Sequence, residues 1–124
     1  MSVTLLALYR RPEGGDEALA TFRQRYRDEH LPLIRRVPGL RSVHVASIER
    51  RLAGDDDLVL IARMIFDDRA SLDAALASQE MRVAGRNLRE VAPGIVPLFV
   101  AEPDAEMGAL AADLPAEKAG PDRT

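Results

Sequence analysis

Apolar and polar residues follow two different periods along this chain. Four stretches carry apolar residues in runs or in alternation, as strands do, and two longer stretches repeat them every three or four positions, as a helix face does. The order predicts a ferredoxin-like α+β domain over residues 1–101, in which an antiparallel four-stranded sheet carries two helices on one face. The predicted strands span 3–10, 40–49, 58–66 and 95–100, and the predicted helices span about 16–30 and 68–91.

Local signals predict where these elements begin and end. Asp16 is expected to cap the first helix, and Pro32, which has no N–H, is expected to loosen that helix and end it near His30. Pro97 favours an edge position for the last strand. The second helix is expected to be capped by Asp67, Asp68 or Ser71. It is expected to break near Ser78 or Gly85 and to end at Pro93-Gly94.

His30 is the most informative residue in this pattern, because it falls on the helix face that should be buried. It continues the apolar series formed by Leu19, Phe22, Tyr26 and Leu33. An imidazole has an ordinary pKa of about 6.5 and is suited to general acid–base catalysis near neutral pH. The alternative is a structural histidine that binds a backbone carbonyl left free by Pro32, and the sequence leaves both interpretations open.

The sheet pattern predicts a partner. Strands 3–10 and 58–66 are apolar on both faces, although helices are expected on only one. A large exposed apolar patch is rare on a monomer, and an identical sheet is the simplest cover, so we expect a two-fold homodimer. Arg63 interrupts this apolar surface. It must meet an acid, reach water or face a ligand anion, and an acid is the main expectation, including one across the dimer.

Charge and composition exclude several classes of function. The 124 residues carry a net charge of −3, but residues 102–124 alone carry −4, so residues 1–101 come out near +1, close to neutral and without the basic stripe that nucleic-acid binding needs. No apolar run reaches the roughly 18–20 residues that a membrane span needs. The chain has no cysteine, which excludes disulfides, thiol nucleophiles and zinc–thiolate sites. A cytoplasmic location is the default expectation.

Neither a metal nor a cofactor is expected from the residue spacing. The two histidines, His30 and His44, lie on different predicted elements and form no ligand motif. The acidic segment 102–124, rich in proline and alanine, is expected to be a mobile tail. Within it, residues 107–114 form a short amphipathic stretch.

Four short motifs in the first third of the chain resemble the EthD-like family of the dimeric α/β-barrel superfamily. They are Leu8-Tyr-Arg-Arg-Pro-Glu-Gly14, Phe22-x-x-x-Tyr26, His30-Leu-Pro-Leu33 and Val37-Pro-Gly-Leu40. The resemblance spans roughly residues 3–100. It implies a ferredoxin-like protomer whose sheet faces the sheet of a second copy, with a pocket between sheet and helices. In similar proteins a histidine on the first helix is the recurrent acid–base candidate, and that position is His30 here.

The resemblance also implies a range of activities. Similar proteins include methylmuconolactone isomerases and fungal polyketide decarboxylases or dehydratases, and the wider superfamily includes cofactor-free monooxygenases and haem-handling proteins. Our first hypothesis is a catabolic, cofactor-independent enzyme that moves a proton on a carbonyl, lactone, polyketide-like or aromatic substrate. His30 would be the acid–base group, Tyr9 or Tyr26 would orient the substrate, and Arg63 would stabilise negative charge.

Two other functions stay open at this point. One is a non-catalytic small-molecule-binding or accessory dimer, and the other is a cofactor-free monooxygenase. Perturbed titratable groups in an apolar cleft would favour an enzyme. A pocket packed shut by Phe22, Met64 and Phe66 would favour the non-catalytic protein. His44 is expected to be a surface or interface residue.

Overall fold

The computed structural model describes residues 1–92 and 94–111. In these residues a four-stranded sheet is packed against helices on one side. No helix in these residues is long and apolar enough to cross a membrane. The elements in chain order are β1 Val3–Arg10, α1 Gly15–Arg25, a π-helical turn Tyr26–His30, α2 Leu31–Ile34, β2 Leu40–Ser47, β3 Leu58–Phe66, α3 Arg69–Leu76, α4 Gln79–Val91, β4 Leu98–Ala101 and α5 Met107–Leu110.

The strand order confirms the ferredoxin-like α+β fold. The sheet runs β2-β3-β1-β4, and the paired strands are antiparallel. β4 lies at an edge, as Pro97 indicated, and the Pro97 carbonyl accepts a hydrogen bond from the Leu8 N–H at 3.1 Å. β4 is shorter than predicted and begins at Leu98. The predicted stretch 107–114 includes the short helix Met107–Leu110, and its residues after 111 lie outside the described part of the chain.

The two faces of the sheet have different surroundings. Alternate residues of β1 and β3 are buried against the helices: Val3, Leu5, Ala7 and Tyr9 on β1, and Leu60, Ala62, Met64 and Phe66 on β3. We call the opposite side the open face. By strand register it carries Thr4, Leu6, Leu8, Ser42, His44, Ala46, Ile61, Arg63, Ile65, Phe99 and Ala101. Its apolar residues are only partly buried, and Phe99 is 52% exposed.

The first helix differs from prediction at its start. Asp16 is not the cap and lies in the first turn, where its charge suits the helix dipole. The cap is Gly14, in the left-handed region at φ 113°. A β-carbon at this position would lie 2.9 Å from the Ala18 β-carbon, so both the backbone angle and the close approach require glycine.

The prediction that Pro32 ends the first helix near His30 was also wrong. The expected loosening at His30 takes the form of a π turn, in which the Leu31 N–H bonds to the Tyr26 carbonyl five residues earlier. Pro32 then lies in the first turn of α2, where a missing N–H costs little, so the chain stays helical to Ile34. His30 is therefore inside a continuous helical segment, at a π turn of the kind often found at functional sites.

The second helical region is two helices. Asp68 caps α3 by accepting a hydrogen bond from the Ser71 N–H at 2.8 Å, and Ser78 caps α4 through the Met81 N–H at 3.1 Å. The predicted break is therefore at Ser78, and Gly85 lies inside α4.

Candidate functional site

Among residues 1–92 and 94–111, His30 is the buried polar residue of the core. Its side chain is 2% exposed, and it lies in the π turn on the side that faces α4. Its ring packs beside the ring of Tyr26, with centroids 5.3 Å apart and planes tilted by 45°. The helical periodicity thus correctly indicated a core-side histidine.

A hydrogen-bond chain fixes the state of the His30 ring. His30 Nδ1 lies 3.1 Å from Asn87 Oδ1, and Asn87 Nδ2 donates to Glu29 Oε1 at 3.1 Å. A carboxylate can only accept, so the Asn87 amide nitrogen must face Glu29 and its oxygen must face His30. His30 Nδ1 therefore carries the proton and donates it to Asn87. In the neutral ring this leaves the lone pair on Nε2.

Glu29 is itself held by Arg25, one helical turn earlier. Arg25 Nε and Nη2 donate to the two Glu29 oxygens at 2.9 and 3.0 Å. The Arg25 hydrogen bond is the main reason that the pKa of Glu29 is lowered. The pair is about 40% exposed and adds little stability by itself. Its effect is to keep Glu29 ionised and aimed at Asn87.

Burial sets the charge of His30. Desolvation lowers the pKa of the imidazole, and the hydrogen bond with Asn87 partly opposes this shift. Since the ordinary value is about 6.5, the ring is neutral at pH 7. A neutral, buried imidazole with a fixed tautomer has the properties of a general base acting through Nε2.

Three aromatic rings extend from His30 toward the far end of α1. Tyr26 packs edge-on against Tyr9 with centroids 5.1 Å apart, and Phe22 lies 5.9 Å from each of them. Burial raises the pKa of both tyrosine hydroxyls, strongly for Tyr9. Both hydroxyls therefore keep their protons at neutral pH and can act as hydrogen-bond donors.

Arg63 is separated from this site. It lies on the open face of the sheet, in register with Leu6 and His44, whereas Tyr9 lies on the helix-facing side. The structure thus brings His30, Tyr9 and Tyr26 together and leaves Arg63 apart. Within the protomer, no carboxylate among residues 1–92 and 94–111 lies within ion-pair distance of Arg63. A pairing with an acid across the dimer stays a prediction.

His30 does not line any of the main clefts of the described residues. One cleft has a volume of about 610 Å³ and lies at the start of α1 and the end of α4, with Phe22, Arg25 and Val91 among its walls. A second, of about 360 Å³, lies between α2 and β2 and includes Leu31 and Val43. In the described part of the chain, no group of three or more His, Asp or Glu side chains is placed to hold a metal ion.

Sequence reasoning missed the residues that orient His30. Asn87 is the main omission, and its signal was present, since a polar residue shares a helix face with the buried Ala84 and Val91. Arg25 and Glu29 have the spacing of an i,i+4 ion pair. That spacing does not reveal that α4 supplies the group between Glu29 and His30.

Comparison with known proteins identifies the family. No family model and no curated protein matches the chain, but solved structures do. An EthD-like protein from Ralstonia eutropha JMP134 is 19% identical, with a TM-score of 0.60 over 85% of this chain and 94% of its own. A dimeric ferredoxin-like protein of unknown function from Bacteroides fragilis NCTC 9343 is 15% identical, with a TM-score of 0.61 over 82% and 95%.

A third structure is much more similar in sequence. An ethyl tert-butyl ether D (EthD) family protein from Bacillus halodurans C-125 is 32% identical, with a TM-score of 0.71 over 82% of this chain and 98% of its own. The two less similar structures support the fold alone. The identity and coverage of the third, together with the motifs around His30, show that this chain belongs to the EthD family.

Proposed function

We propose that this protein is a cofactor-independent enzyme that transfers a proton on a small carbonyl or lactone compound, with His30 as the base. The observation that carries the proposal is the fixed tautomer of His30. Nδ1 is committed to Asn87, and the Asn87 amide is committed to Glu29, so Nε2 is left as a neutral base in a buried site. A buried structural histidine would also need a partner for its N–H, so what favours the base is the further bond from Asn87 to Glu29, which aligns the chain to stabilise positive charge on the ring.

The proposed step uses the groups around the ring. Nε2 takes a proton from the carbon next to a carbonyl, the C–H electrons form a carbon–carbon double bond, and the carbonyl oxygen becomes an enolate oxygen. The imidazolium is stabilised through Nδ1–H by Asn87, which Glu29 polarises. Tyr9 or Tyr26, protonated because burial raises the pKa of each, donates to the enolate oxygen. In a substrate with a conjugated double bond, return of the proton to the far conjugated carbon shifts that double bond, re-forms the carbonyl and completes an isomerisation.

A substrate can approach His30 only if the aromatic side chains packed beside it move. Phe22 forms part of the 610 Å³ cleft, and its ring packs against Tyr26, which in turn packs against His30. A substrate that enters from this cleft must displace the Phe22 ring to approach the histidine. Such gating movements are common in enzymes that exclude water from a reactive site.

The second candidate function is a non-catalytic binding or accessory protein. The closed packing favours it, because Phe22, Met64 and Phe66 are all buried. In this case a ligand would bind in the 610 Å³ cleft and His30 would be structural. The cofactor-free oxygenase has no separate observation in its favour, but the same assay tests it.

The experiment measures hydrogen exchange at carbon. The protein is incubated in D2O with a panel of small lactones, keto acids and phenols, and proton NMR follows loss of the signal at the acidic carbon. We expect exchange with at least one compound class, reduced about 100-fold or more in His30→Gln, as general-base catalysis contributes 10²–10⁴-fold. His44→Gln is the matched control and should exchange normally.

The binding protein and the oxygenase each predict a result that differs from that of the proton-transfer enzyme. A compound that raises the unfolding temperature without exchange, equally in both variants, would support the binding protein and refute the enzyme. Consumption of a compound in air but not under argon would support the oxygenase. Circular dichroism confirms that His30→Gln is folded before its rate is interpreted.

We further propose that the protein is a homodimer through its open face. The Bacteroides fragilis structure is described as dimeric, and the open face here presents partly buried apolar side chains on β1 and β3 and the half-exposed Phe99 on β4. Phe99→Glu should give a monomer by sedimentation velocity. Leu52→Glu is the control, because Leu52 is 84% exposed in the β2–β3 loop and lies off that face. A dimer in both variants would contradict the proposed interface.

A further inference from the structure

The open face carries two titratable groups at its centre. His44 on β2 and Arg63 on β3 are directly opposite in the strand register, and Leu6 on β1 and Phe99 on β4 continue the same row. Directly opposed residues on one face have β-carbons about 5 Å apart. One row across the sheet therefore has an apolar half, Leu6 and Phe99, and a polar half, His44 and Arg63.

This face offers Arg63 no countercharge. None of its strand positions in the described residues is an aspartate or a glutamate. The acids directly next to the strand ends already have partners. Asp57 pairs with Arg11 at 3.1 Å, Asp67 pairs with Arg41 at 2.8 Å, and Glu102 pairs with Arg69. In the protomer Arg63 is exposed, so water solvates the charge of its guanidinium.

Two-fold symmetry means that a second copy of this face cannot supply the carboxylate that Arg63 lacks. In an isologous dimer the same face meets itself, so a second copy brings another arginine and another histidine but no carboxylate. Burial of an unpaired guanidinium among Leu6, Ile61 and Ile65 is costly. The missing negative charge must therefore come from outside the face.

We propose that a small oxyanion, a carboxylate or phosphate, binds between the two sheets at Arg63 and His44. The inference rests on the proposed dimer but not on the proposed reaction of His30. A guanidinium matches the two oxygens of such an anion with two parallel N–H bonds, and His44 adds a ring N–H donor beside it. The second copy closes the site and presents the same pair, so the anion binds the dimer and not the monomer.

The test uses inorganic phosphate and malonate on the full-length chain. Each anion is titrated against sodium chloride of equal ionic strength, while thermal unfolding and sedimentation velocity are recorded for wild type, Arg63→Gln and Arg86→Gln. Arg86 is an exposed arginine on α4 and serves as the control. Wild type and Arg86→Gln should show a saturable rise of several degrees and a shift toward dimer, and Arg63→Gln should show neither. His44→Gln should weaken the anion effect about 5–10-fold, which corresponds to one lost hydrogen bond.

Contrary results separate the two proposals. A protein that is dimeric in chloride but shows no saturable effect of either anion would overturn the anion site and leave the dimer standing. That result would follow if the acids of segment 102–124 supply the countercharge or if Arg63 reaches solvent at the rim. A protein that stays monomeric with and without anion would overturn the dimer and the anion site together. An equal effect in Arg63→Gln would show that the anion binds elsewhere.

Discussion

Replacement of Asn87 by leucine tests the hydrogen-bond chain behind His30. The two side chains have similar volume, so the substitution keeps the packing of α4 against the π turn and removes both polar contacts. His30 Nδ1–H loses its acceptor inside the core, where the histidine is only 2% exposed. Glu29 loses the Asn87 donor at 3.1 Å, but it is partly exposed and water can replace that donor.

The expected loss of stability therefore comes from His30. A buried donor left without a partner costs about 1–3 kcal/mol, and any gain from the added apolar surface of leucine offsets part of it. We expect Asn87→Leu to unfold with about 1–2 kcal/mol less free energy than wild type. With a urea slope of about 1 kcal/mol/M or slightly more, the midpoint should fall by about 1–2 M.

Urea unfolding at one fixed protein concentration measures this difference, since a dimer would make the midpoint depend on concentration. Arg86→Leu places the same side chain on the exposed side of α4 and should stay within about 0.5 kcal/mol of wild type. If Asn87→Leu is as stable as wild type while Arg86→Leu behaves as expected, the His30–Asn87 bond does not form and the tautomer argument fails.

Three further predictions follow from the same structure. Because burial lowers the pKa of His30, the unfolded chain binds that proton more readily, so stability should fall as pH drops below about 6.5. Urea midpoints between pH 8 and 5 should show this in wild type and His44→Gln but less in His30→Gln. The chain has two tyrosines and no tryptophan, so alkaline difference absorbance reports Tyr9 and Tyr26 alone. Since burial raises the pKa of both, they should ionise only as the protein unfolds, and ionisation in the folded state would contradict their burial. Ser78→Ala should cost about 1 kcal/mol in urea unfolding by removing the α4 cap, and no change would show that the cap is dispensable.

The fold was largely predictable because its signals are local and repeated. Strand period, helix period and turn residues each pointed to the same order of elements, and the bounds of β1 and β3 agree with the prediction. The errors at Asp16 and Pro32 have a common cause. A cap or a break depends on backbone geometry that neighbouring residues decide, here the left-handed Gly14 and the π turn before Pro32.

The site was predictable only in part because its residues come from different elements. Helical spacing placed His30 and Tyr26 on one face. Nothing in the spacing shows that Asn87, 57 residues later, meets His30. Arg63 is separated from His30 because Arg63 pairs with Leu6, and Leu6 and Tyr9 lie on opposite faces of β1. This separation follows from the pairing register of β1 and β3, which the structure supplies.

The most direct test of the account is the tautomer of His30 in solution. Long-range nitrogen–proton NMR correlations on uniformly 15N-labelled protein, assigned with His44→Gln, distinguish the two ring nitrogens at pH 7–8. The structure predicts a neutral ring with its proton on Nδ1 and a lone pair on Nε2. A proton on Nε2, or an imidazolium at this pH, would contradict the hydrogen-bond chain through Asn87 and remove the base from the proposed reaction.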